Sequence, residues 1–120
     1  MARNKEDSIE ELGKLVSLLK EYTPKLEKMN REVESFAAEV RAKQYDLDGQ
    51  NQGIASKHTY NRFNSYLELM MKLAGEASHF LDLVSISPMQ AMELELRITD
   101  FEYEVKKLQQ ALRRIQIHIL

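Results

Sequence analysis

The chain has 120 residues, of which 43% are hydrophobic and 30% charged, with a net charge of −2. That balance suits one soluble domain with a real core and excludes the global positive field that advertises nucleic-acid or membrane binding. Cysteine is absent, which rules out disulfides, thiolate nucleophiles and Cys-type zinc sites.

Only four Gly and two Pro punctuate the chain, so a few long helices are expected rather than many short strands. No uncharged apolar run approaches the roughly 18 residues of a membrane helix, and the polar opening MARNKEDS does not read as a signal peptide. The expected location is the cytoplasm. Ser8 and Glu11 have the spacing of a capping box, and Ile9, Leu12, Leu15, Val16, Leu19 and Tyr22 follow at helical intervals. Thr23-Pro24 predicts a boundary between a first helix over 8–22 and a second over 24–45, because proline inside a helix costs about 3 kcal/mol. A kinked continuous helix is the rival. Leu26, Met29, Val33, Phe36 and Val40 form the next apolar face, and the mixed charges opposite read as a solvated surface.

Residues 46–58 lack periodicity, and Gly49, Gly53 and the Asn/Gln cluster predict a polar loop. Asp46-x-Asp48-Gly49 suggests calcium, but an EF-hand frame would put Gln44 at the first ligand and Ala55 at the last. Neither can serve. Nor does a P-loop follow from Gly49 and Gly53. A helix over 59–84 carries Phe63, Tyr66, Met70, Leu73, Ala77, Phe80 and Val84, with Leu67, Ala74 and Leu81 widening the face. Glu76 and His79 make one Glu-x-x-His, whereas a di-iron bundle needs that motif twice plus two more glutamates. His79 is therefore expected at the surface.

Ser87 can cap and Pro88 can open a last helix over 88–118. Leu94, Ile98, Phe101, Val105, Leu108, Leu112, Ile115 and Ile119 form an unbroken heptad seam. The opposite face, which should meet water, holds Met89, Leu96, Tyr103 and Ile117. A helix apolar on two sides is being asked to pack twice, once in its own bundle and once on a neighbouring subunit. Acids fill its first half and bases its second, so one copy's acidic half can lie against another's basic half.

The corner Val84-Ser85-Ile86-Ser87-Pro88-Met89-Gln90-Ala91-Met92-Glu93-Leu94 closes a helix rich in Met and Leu. It follows a helix bearing Tyr22, a segment ending near Tyr45 and the Gly-containing polar stretch. This order resembles the small terminase subunits of tailed bacteriophages, which close on a Leu-Gly-Leu-Thr-Pro-x-x-Arg-x-x-Leu type sequence. Val84, Ile86, Ser87, Pro88 and Leu94 fit, while Ser85 replaces the glycine and Ala91 the arginine that a phosphate contact would need. The likeness spans roughly residues 19–94, and the long final helix is an extension. It implies an oligomer that recognises packaging-site DNA and passes it to a large subunit carrying the ATPase and nuclease.

The resulting expectation is an all-α chain: an antiparallel bundle of three to four helices in a single domain, with a long C-terminal coiled-coil-like helix, working as an oligomer. Its oligomerisation residues would be those of the seam and the opposite face. The nucleic-acid contact would use Lys57, His58 and Arg62. Expected partners are further copies of the chain and, through the resemblance, DNA and a large terminase subunit. No enzymatic activity, cofactor, metal, membrane or small-molecule substrate is expected. The alternative is a helical adaptor with no nucleic-acid role.

Overall fold

Every described residue of the computed structural model belongs to a helix or to the short corner between the last two. It describes residues 5–43, 49–84 and 86–119, and side-chain surroundings within 8–42, 56–84 and 86–116. Helix α1 is Lys5–Lys43, α2 is Gly49–Leu83 and α3 is Pro88–Ile119. The chain is all-α, with three helices among the described residues. The rod they form measures 62 × 24 × 18 Å.

Two expected boundaries are corrected. The helices expected over 8–22 and 24–45 are one, running through Pro24. The reason is visible in the packing. Leu19, Tyr22, Leu26 and Met29 keep three-four-three spacing across the proline, so both sides share one core-facing stripe. Leu19 and Leu26 are fully buried, and two buried leucines at about 1.5–3 kcal/mol each offset the roughly 3 kcal/mol that proline costs. Pro24 itself lies on the exposed side, where its ring meets solvent. Thr23 Oγ1 donates to the Leu19 carbonyl at 2.6 Å, occupying an acceptor just before the proline.

The second correction concerns the loop expected over 46–58. α2 already begins at Gly49, while 46–48 lie outside the described residues. Glycine raises the cost of helix by about 1 kcal/mol relative to alanine but does not block it, and this stretch contains no proline. A smaller revision concerns Ser8. It sits inside α1, which starts at Lys5, so it is not the N-cap; it is buried there.

The helices run up, down and up. Asn30 meets Glu104 and Lys20 meets Glu93, so α1 and α3 are parallel and in step. α3 packs closely along both of its neighbours. α1 and α2 approach through long side chains, including Phe36 and Phe63, whose ring centroids lie 5.8 Å apart. One core collects Leu12, Leu15, Leu19, Leu26, Val33 and Val40 from α1, Leu67, Met70, Ala74, Ala77 and Phe80 from α2, and the seam of α3. In α2 the residues expected only to widen the face, Leu67 and Ala74, are more deeply buried than Tyr66 and Leu73.

Candidate functional site

α3 begins on a reciprocal capping box. The Gln90 amide donates to Ser87 Oγ at 3.2 Å, and the Ser87 amide donates back to Gln90 Oε1 at 3.1 Å. With Pro88 fixing the first turn, the box sets the direction in which α3 leaves the corner. That in turn decides which residues face inward.

Seven of the twelve residues expected at an oligomer surface are taken up in the chain's own core: Leu94, Ile98, Phe101, Val105, Leu108, Leu112 and Ile115. The seam is covered by α1 and α2. Three others remain outside, with Met89 82%, Leu96 59% and Tyr103 62% exposed, and Met92 joins them at 69%. The side chains of Ile117 and Ile119 lie outside the described residues. Met89, Leu96 and Tyr103 are seven residues apart and Met92 falls between two of them, so these four line one side of the helix for about four turns. Met92 falls outside the seven-residue row, three positions after Met89, and its i,i+4 spacing to Leu96 is the signal that places it on the same side.

The same side of α3 changes character further along. A groove of about 440 Å³ opens between α1 and α3, bordered by three bases, Arg41, Lys107 and Arg114, and one acid, Glu34. Ala37 and Ala111 leave room there with small side chains, Val40 and Ile115 line it as well, and Gln110 sits at its edge. Within α3, residues 88–103 carry four acids and one base, and 104–119 carry four bases and one acid. Helix α1, by contrast, mixes both signs along its length. Lys107 holds Glu104 at 3.6 Å and lies 5.1 Å from the centre of the Tyr103 ring. These contacts extend its ammonium along the outer face.

Between the inner and outer faces lies a buried polar pair. Asn30 Nδ2 donates to Glu104 Oε2 at 2.7 Å and to the Glu104 carbonyl at 3.1 Å. Both residues are buried, and Asn30 Oδ1 has no hydrogen-bond partner. A pair of this kind penalises any sliding of α1 along α3, because a slip would strand a carboxylate in the core. On the other flank of α1, Lys25 donates to Glu21 at 3.1 Å, and this hydrogen bond, reinforced by the Glu21 charge, raises the Lys25 pKa. Tyr66 of α2 is also raised, first by burial and then by the neighbouring Tyr22.

Lys57, His58 and Arg62 are exposed on the first half of α2. The fold brings that half of α2 to the end of the rod that also holds the basic half of α3. Glu76 and His79 are exposed, and among the described residues no three His, Asp or Glu side chains are placed to share a metal ion. No helix among the described residues is long and apolar enough to cross a membrane. Comparison of the chain with protein-family models, characterised proteins and solved structures gave no match.

Proposed function

We propose that this chain is a non-enzymatic assembly protein that works as an oligomer, holding a further helix against the outer face of α3. The observation that carries this reading is the stripe Met89, Met92, Leu96 and Tyr103, exposed on a helix whose opposite face is already fully covered. Single apolar side chains on a surface need no explanation, but four aligned along one helix mark a place where another element packs. Light scattering at micromolar concentration tests it. An oligomer is expected, and a stable monomer at low and physiological salt removes the reading.

The likeness of 84–94 to the corner of small terminase subunits gives this reading its most specific form. In that form the oligomer gathers packaging-site DNA and passes it to a large subunit in the host cytoplasm. Support comes from the grouping of Lys57, His58 and Arg62 with Lys106, Lys107, Arg113 and Arg114 towards one end of the rod. Weak phosphate contacts from several copies would add through multivalency. Binding to duplex DNA should fall steeply along a salt series, since each neutralised phosphate releases counterions. No binding at low salt would remove the DNA role and leave the adaptor reading standing.

A further inference from the structure

Resting on the reading of the chain as a self-assembling protein, we infer that the partner on the outer face of α3 is a second copy, laid antiparallel about a twofold axis at Tyr103. The inference comes from charge and register together. An isologous contact must be self-complementary: whatever one copy offers, the other must accept. The outer side of α3 satisfies this along its own length. Its first half presents the apolar stripe beside Glu93 and Asp100, and its second half presents the groove bordered by Arg41, Lys107, Arg114 and Glu34.

In an antiparallel pair of helices, equivalent flanks lie side by side. With Tyr103 opposite Tyr103 of the second copy, Leu96 falls opposite Gln110 at the groove's edge. On the flank nearest α1, Glu93 then meets Arg114 of the second copy, and Asp100 meets its Lys107. Each pairing occurs twice by symmetry. Sliding the copies by one heptad destroys the match. One direction sets Asp100 against Asp100, and the other sets Lys107 against Lys107. A parallel pair sets Glu93 and Asp100 against the opposite flank, which carries Met92 and Thr99 there, so the acids find no base, and it sets Lys107 and Arg114 against Lys106 and Arg113. Only one register joins every acid on this flank to a base.

The contacts these groups make within one chain leave them open to a second partner. Glu93 meets Lys20 only at 3.9 Å, and their side chains are 55% and 49% exposed. Lys107 is 46% exposed while it holds Glu104. The groove is open in a single copy, with three bases to one acid around it and Ala37 and Ala111 beside Val40 and Ile115 within it. Leu96 and Glu93 of a second copy supply what it lacks.

Charge exchange tests the register. Asp100→Lys and Lys107→Asp, each alone, place like charges together twice per dimer and should raise the dimer dissociation constant about tenfold. Mixing the two variants restores acid against base at both sites and should return association to within about threefold of the parent. The substituted residues are exposed, and because Lys107 also holds the buried Glu104, a melting curve of Lys107→Asp confirms that it folds before its association is read. Because the chain has no cysteine, introduced thiols report unambiguously. A short bifunctional thiol reagent should join Leu96→Cys to Gln110→Cys in a mixture, and join neither variant efficiently to itself. Self-linking of Leu96→Cys as strong as in the mixture would establish a parallel pair and overturn the inference. So would failure of the mixed charge variants to recover. A parent chain that sediments as a monomer would instead remove the assembly reading, and this inference with it.

Discussion

Phe101 and Tyr103 stand two residues apart on α3, yet Phe101 is fully buried and Tyr103 is 62% exposed. Both belong to apolar rows that repeat every seven residues. One row is closed by α1 and α2, and the other faces outward. The difference teaches that a heptad pattern counts apolar positions without counting the helices available to cover them. The inner row stabilises the fold of one chain, and the outer row is left for association.

The sharpest way to break this comparison is to truncate one residue from each row. Phe101→Ala should lower the unfolding free energy by about 3–5 kcal/mol, while Tyr103→Ala should change it by less than about 0.5 kcal/mol in the monomer. Urea denaturation at concentrations below those of association measures both, and comparable losses would mean the two faces are not distinct. Next in size is the proline on the outer side of α1, the helix against which the inner row packs. Pro24→Ala should stabilise the chain by up to about 3 kcal/mol. A loss of stability in the same assay would show that Pro24 contributes to the fit of α1 on α3.

The buried pair sharpens the comparison from the polar side. Asn30→Ala leaves the buried Glu104 carboxylate with only its 3.6 Å contact to Lys107 and should cost about 1–3 kcal/mol. Replacing both by leucine should cost much less, because the desolvation penalty disappears with the charge. A double-mutant cycle reads the coupling, and additive losses would show that the pair does not act as a unit. The smallest effect lies on the α1–α2 side. Lys25 and Tyr66 hold their protons more tightly in the folded chain than at their ordinary values of 10.5 and 10.0. Their stabilisation is therefore complete below those values and is lost as pH rises through the raised folded ones. The melting temperature should fall as pH rises above about 10, and less steeply in Tyr66→Phe. An identical fall in that variant would assign the loss elsewhere.

Much of the fold was legible in the sequence. The long periodic rows of α2 and α3 and the Ser87-Pro88 start depend on local spacing and capping, and they appear where expected. The boundary at Thr23-Pro24 was misread because proline's local cost was weighed without the continuity of Leu19, Tyr22, Leu26 and Met29 across it. The start of α2 was misread for a related reason, since glycine and asparagine weaken a helix without ending one. At the candidate site, Met89, Leu96 and Tyr103 were legible as an outward apolar row. The groove was not. It depends on Ala37 and Ala111 lining one space, and nothing in either helix alone says that α1 lies parallel to α3 in that register. Asn30 and Glu104 were hidden likewise, since both are ordinary surface residue types until the two helices meet.

The parallel pairing of α1 with α3 also bears on how the chain is made. α2 and α3 are joined by a short corner, but Asn30 and Glu104 are 74 positions apart in sequence. α2 covers little of α1, so the row from Leu12 to Val40 has no close partner until α3 exists. During synthesis the first helix to emerge must wait for the last one. Its leucines stay open until α3 has been made, and ribosome-bound chains stopped before about residue 100 should engage chaperones through α1.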